Sequence, residues 1–308
     1  MLYYFLLCVA TVCGTAKGIC SKKISLDVSD FKGSCLINTI RMLICACIGF
    51  LLVLFSNQTQ FLCVDPLTLL VILVSGIANA MFVTTWLITV KNGAVMLINV
   101  FNTLSCIIPI IFAKIFFNEN IFLSQILSFL VLVLGTIVMA DYSQKSIKKI
   151  NLKGWILLII TASFQGLIYL AQKWLGYLTN NSIISPFPSA IFNFYSYIVS
   201  CLFLSILFIT ITIKDKLPFR KSFAIYNHKK TILVILLLSL FLFFNSFLNT
   251  LVSAKLNAII TYPIAQGLNL LLWFFASWFM FKEKPNKKSV LGVILVFIGL
   301  VAMNLIKF

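Results

Sequence analysis

Acidic side chains are scarce in this chain: seven aspartates and glutamates stand against 24 lysines and arginines. No acid falls in the middle of an apolar run, and the only histidine, His228, sits in a polar stretch. General acid–base chemistry needs a positioned His, Asp or Glu, so the composition argues against an enzyme working inside the apolar runs. Metal chemistry is disfavoured in the same way. Nine cysteines are present with no C-x-x-C pair and no histidine beside them, which leaves them as small apolar filler, with no metal or cofactor implied. Long polar stretches are also lacking. The largest connections, around Ser21 to Ser34 and Lys214 to Lys230, hold fewer than about 20 residues each, too few for a soluble domain.

What remains is apolar. Hydrophobic residues fill 61% of the 308 positions, more than one core of a soluble protein this size can hide. Runs of about 20 such residues, enough to cross roughly 30 Å of hydrocarbon, recur between short polar breaks. They predict an all-α membrane protein with ten transmembrane helices, over 2–20, 35–56, 66–90, 93–117, 121–141, 153–173, 189–213, 231–253, 257–281 and 288–306. The first run has no basic stretch ahead of it and matches a later segment, so it reads as a helix and not as a secretory signal.

Shifting the chain by 164 residues lays Leu69 to Ala140 over Leu233 to Asn304 without a gap, with 12 of 72 positions identical. Composition alone gives about one match in ten in such sequence, so the polar matches carry the weight. Lys91 falls on Lys255, Glu119 on Glu283, Ser75 on Ser239, Gly135 on Gly299 and Asn102 on Gln266. With looser offsets, YYFLLCVATVCGTAKGICSKK lies over GWILLIITASFQGLIYLAQKW, and Asn38 falls near Asn193. The unit is five helices used twice: a first repeat at 1–141, a basic linker at 142–152 and a second repeat at 153–308. Five is odd, so the second copy enters the membrane from the opposite side. Two inverted halves around a shared site are the arrangement of alternating-access carriers.

Each half closes with a short acidic hairpin, FFNEN and MFKEK, followed by a glycine-containing helix, VLVLGTIVMA and LGVILVFIGLVAMN. In this the chain resembles the drug/metabolite transporter superfamily, specifically its EamA-type ten-helix transporters, over essentially its whole length. The resemblance implies two EamA-like inverted repeats and a central cavity lined chiefly by the first, third, fourth, sixth, eighth and ninth helices. The Gly-Glu usual before the fifth and tenth helices reads Asn118-Glu119 and Lys282-Glu283 here. The glutamate that the small multidrug resistance branch carries in its first helix has no counterpart in CVATVCGTAKG, which argues against proton-coupled export of lipophilic cations.

Basic residues are retained on the cytoplasmic face. The odd-numbered connections hold 18 of them, including Lys22, Lys23, Lys32 and Lys91, against Lys173, Lys255 and Lys307 on the other face. The bias predicts cytoplasmic odd-numbered loops and termini outside, whereas the resemblance implies cytoplasmic termini. The lysines are dispersed among five short loops without interleaved aromatics, so no nucleic acid is expected as partner.

Two cations fall within the spans, Lys17 near the end of the first and Arg41 in the second. They would attract a carboxylate or phosphate on a solute, or, in the plainer reading, snorkel to the lysine-rich face. Polar stripes at helical spacing add candidates. Tyr262, Gln266, Asn269 and Trp273 share a face of the ninth span, and Thr161, Gln165, Tyr169 and Gln172 a face of the sixth. Asn245 and Asn249 lie one turn apart in the eighth, Asn99 and Asn102 precede Cys106 and Pro109 in the fourth, and Asn79 and Trp86 stand in the third. Such groups line a hydrated substrate cavity or glue helices together, the latter worth about 0.6 to 2 kcal/mol each. The hairpins supply gate candidates: Glu119 facing Lys255 and Glu283 facing Lys91 would clasp the two mouths, or each acid would cap the helix that follows it.

The expectation is a secondary transporter, an exporter by direction, of a small polar metabolite or amino-acid-like solute in the cell membrane. Membrane lipids and the solute are its partners, with protons or a counter-substrate left open as the coupling. A lipid-linked-sugar flippase of the same fold, a noncatalytic assembly subunit and, less favoured, an intramembrane enzyme are the alternatives.

Overall fold

The structure, a computed structural model, describes residues 1–25, 31–91, 95–140, 152–184, 187–215, 229–280 and 286–305. Regular structure among them is entirely helical. In chain order the helices are α1 (Leu2–Ser25), α2 (Phe31–Phe55), α3 (Pro66–Lys91), α4 (Val95–Leu104), α5 (Ile107–Phe116), α6 (Leu123–Ala140), α7 (Leu152–Asn180), α8 (Ser189–Asp215), α9 (Lys229–Ser253), α10 (Ala258–Met280) and α11 (Lys287–Leu305), with a 3-10 turn at Thr59–Phe61. Each expected span coincides with a helix, α4 and α5 together making the fourth. Eight spans are long and apolar enough to cross a membrane, while α6 and α11, at 18 and 19 residues, are short. The linker expected at 142–152 lies, apart from Leu152, outside the described residues.

The fourth span breaks at Ser105 and Cys106 for a local reason. Pro109 has no N–H to offer the Ser105 carbonyl and its ring crowds that carbonyl. The Ser105 oxygen instead accepts from the Ile108 N–H at 3.3 Å, and the Cys106 N–H reaches Thr103 O at 3.2 Å, a tightened turn between two straight pieces. Gly166 of α7 packs on this break, where a Cβ would stand 2.8 Å from the Ser105 oxygen. Pro263, by contrast, is accommodated inside an unbroken α10.

Two helices run further than their apolar cores. α1 continues to Ser25 and α7 to Asn180, where the hydropathy ended them at 20 and 173. A helix satisfies its own backbone, so it has no reason to stop where the hydrocarbon does. Hydropathy marks the membrane-immersed part only.

Packing pairs the first half of the chain with the second. α1 lies along α9, α2 along α8, α3 along α7 and α6 along α11. The last pair meets through glycines: a Cβ on Gly135 would stand 2.7 Å from the Val296 nitrogen, and one on Gly299 would stand 2.9 Å from the Leu132 nitrogen. Without a hydrophobic effect between helices in lipid, close backbone approach through small residues is what dispersion and packing can use. The outer faces of this pair carry Leu127, Leu130, Leu134 and Ile137 on α6 and Leu291, Ile294, Phe297 and Ile298 on α11, all exposed. Such a continuous apolar surface suits lipid and not water.

Candidate functional site

A cavity of about 500 Å³, its open mouth included, lies between α1, α3, α4, α7, α9 and α10. Its wall contains nine of the residues singled out as cavity candidates. Lys17 comes from α1, Trp86 from α3, Asn102 from α4, Gln165 and Tyr169 from α7, Asn245 and Asn249 from α9, and Gln266 and Asn269 from α10, joined there by Trp273. Asn102 and Gln266, which coincide under the 164-residue shift, face the same space from opposite halves.

Hydrogen bonds hold much of this wall in place. Asn245 Nδ2 donates to Ala10 O at 2.7 Å, and Thr15 Oγ1 donates to Asn269 Oδ1 at 2.8 Å, tying α1 to α9 and α10. Gln266 Nε2 donates to the Tyr169 hydroxyl. Tyr262 stacks on Tyr169 with ring centroids 4.5 Å apart and donates its hydroxyl to Tyr169 O at 2.7 Å. Other polar atoms of the wall are buried without a protein partner: Asn102 Oδ1, Asn249 Oδ1, Gln266 Oε1 and Trp86 Nε1. Buried polar atoms are nearly always satisfied, so a group of orphans around one space marks it as a place for water or a ligand.

Four cavity candidates lie behind the wall instead. Tyr262 is fully enclosed as the backing of Tyr169. Asn79 turns its amide to Met42 Sδ at 3.7 Å, and Asn99 is buried with neither amide atom partnered. Arg41 is 2% exposed and donates through Nη1 to Asn38 Oδ1, with its Nε unpartnered. Helical spacing puts them on the inner faces, but those faces are wider than the cavity. Conversely, Thr11, Gly14, Phe82 and Ala265 line it although they carry no functional signal in the sequence. Gly14 is the exception a reader could have used: a Cβ there would stand 2.9 Å from Asn245 Nδ2, so the glycine makes room for the amide.

Lys17 is not in the last turn of its helix: α1 extends eight residues beyond it. Its Nζ lies over the Phe82 ring, 5.7 Å from the centroid, and among the described residues no hydrogen-bond acceptor or carboxylate meets it.

The clasp expected between Glu119 and Lys255 is replaced by a different one. Glu119 pairs with Lys173, both side chains nearly buried, and its Oε2 accepts the Ala258 N–H at 2.7 Å. Lys173 Nζ also donates to Ser253 O at 3.1 Å and Leu256 O at 2.8 Å. Lys255 turns outward to Asn180 Oδ1 at 3.4 Å. The hairpin after α5 and the turn between α9 and α10 do meet, as the pairing required. The acid, however, caps α10 rather than the helix that follows it, because α7's extra length carries Lys173 into the junction. Glu283 lies outside the described residues, as does the side chain of Lys91. Among the other lysines placed in odd-numbered connections, Lys32 is buried in the first turn of α2, with Nζ 5.8 Å from the Phe208 ring centroid.

Comparison with known proteins agrees with this architecture. A solved crystal structure of a protein superposes with a TM-score of 0.63 at 14% identity, covering 96% of this chain and 97% of that one, which is a likeness of fold. No curated protein matches the sequence. The model of the EamA-like transporter family matches residues 1–141, the stretch that supplies α1, α3 and α4 to the cavity wall. Residues 1–141 are thus similar to the EamA-like transporter family, and eight spans among the described residues are long and apolar enough to cross a membrane.

Proposed function

We propose that the protein is a secondary active transporter that exports a small polar, amino-acid-like solute across the cell membrane by alternating access. Residues 1–141 and 153–308 are two inverted EamA-like repeats joined by the 142–152 segment, and the lysine-rich connections face the cytoplasm. The observation that carries this reading is that residues of both halves that keep an unpartnered buried polar atom, Trp86 and Asn102 from the first and Asn249 and Gln266 from the second, line one cavity.

The helix pairing supports the inversion. A two-fold axis that exchanges the five-helix units maps the α1–α9 pair onto α7–α3, and maps α2–α8 and α6–α11 onto themselves; these are the long pairings of the fold. Gly135 meets Gly292 O, and Gly299 meets Ser128 O, which is the same contact with the halves exchanged, since Gly292 falls on Ser128 under the 164-residue shift. The flippase alternative calls for several basic groups along the path, and the described wall has one, Lys17.

The test is single-cysteine labelling in a cysteine-free background. Asn102→Cys in right-side-out and inverted vesicles is expected to react with a membrane-impermeant maleimide from both sides, with solute shifting the balance. Reactivity from one side only, under all conditions, defeats alternating access.

A further inference from the structure

We infer that the solute bears a carboxylate, and that the Lys17 ammonium and the Trp86 indole N–H are the groups that hold it; this deepens the transporter reading and rests on it. Both groups line the same cavity. Trp86 is one turn from Phe82 on α3, with ring centroids 5.7 Å apart, and Lys17 lies over that same Phe82 ring. The indole N–H is buried with no acceptor among the described residues, although a buried tryptophan ordinarily finds one.

Lysine 173 shows how this fold treats a buried lysine that serves structure: one carboxylate and two backbone carbonyls surround it. Lys17 has none of these among the described residues and lies instead over the Phe82 ring on the cavity wall. An ammonium in low dielectric without a counter-charge is costly, and such groups in membrane helices mark ligand paths. Lys32, also over a ring, is different: it is the second residue of α2, beside the stretch that carries Asp27 and Asp30, and it is not on the cavity wall.

The only formal charge on the described wall is Lys17 itself. Two donors suit the two oxygens of a carboxylate, whereas a phosphate monoester presents three strong acceptors and is normally met by more donors. The remaining wall has the opposite character. The unpartnered oxygens of Asn102, Asn249 and Gln266 accept from donors on the solute, as an ammonium or hydroxyl would supply. The solute is thus an amino acid or hydroxy acid in chemical class.

The experiment uses the full chain purified in detergent, titrated by tryptophan fluorescence and thermal shift. The probes are amino acids and 2-hydroxy acids, each with its primary amide, plus inorganic phosphate and glycerol phosphate. At least one acid is expected to bind with its amide about tenfold or more weaker, the scale of one charge-assisted hydrogen bond. Lys17→Met should abolish that discrimination, Lys17→Arg should keep most of it, and Trp86→Phe should weaken the acid several-fold. Retention of discrimination by Lys17→Arg guards against a folding artefact. Equal binding of acid and amide, native-like binding by Lys17→Met, a preference for phosphate over every acid, or no acid binding at all would overturn the inference. Flux in proteoliposomes separates the two readings. Movement of amides in preference to acids removes the carboxylate and leaves transport standing; acids that bind but do not move remove transport and leave the site.

Discussion

Two lysines among apolar helices, Lys173 and Lys17, have opposite surroundings. Lys173 on α7 is 7% exposed and fully engaged, with Glu119 and two carbonyls around it. Lys17 on α1 faces a cavity and an aromatic ring. The first locks the α5–α6 hairpin to the start of α10; the second leaves its charge available. A buried charge in a membrane protein thus says little by residue type alone. What surrounds it decides whether it holds the fold together or waits for a partner.

The largest effect should come from unmaking the satisfied lysine. Glu119→Ala strands the Lys173 ammonium and uncaps α10, and is expected to cost about 3 to 5 kcal/mol, the range for removing one partner of a buried pair. Adding Lys173→Met should recover most of that loss in detergent unfolding measurements. A double variant as unstable as the single one would mean that the pair does not act as a unit.

Next comes a control on the scaffold remote from both lysines. Gly135→Ala drives a Cβ to within 2.7 Å of the Val296 nitrogen, so the α6–α11 pair must separate at about 1 to 3 kcal/mol. Ligand titrations should be unchanged in this variant, since neither helix lines the cavity. Lys17→Met is expected to act in the other direction, raising stability by about 1 kcal/mol as a half-buried cation with no carboxylate beside it among the described residues is replaced by an apolar chain of similar length. A loss of stability there would place a structural partner at Lys17. The smallest effect belongs to Lys255→Met. Its side chain is exposed and, among the described residues, meets Asn180 at 3.4 Å, so a change below about 0.5 kcal/mol is expected from thermal unfolding.

Much of this was readable from the chain, and the failures have a common form. The polar stripes on the sixth, eighth and ninth spans named Gln165, Tyr169, Asn245, Asn249, Gln266 and Asn269 correctly as inward-facing, because i, i+4, i+7 spacing fixes a face. The same spacing could not tell Tyr262 from Gln266, since only the neighbouring helix decides which inward residue meets open space and which meets Tyr169. Phe82 and Thr11 were invisible for the opposite reason: an apolar or small residue gives no functional signal until its neighbours are known. Lys173 was misjudged as a loop residue because apolar runs end at charges, whereas α7 does not.

Composition, run length and spacing determined an all-helical chain of long apolar runs and the inward faces of its helices, because each depends on residues within a turn or two of one another. Which charges meet was settled only by the assembled bundle. Glu119 and Lys173 are 54 positions apart in the chain, and among the described residues Lys17 meets the Phe82 ring of α3 and no carboxylate. Electrostatic energy depends on distance through space and on local dielectric, and neither can be read along the chain.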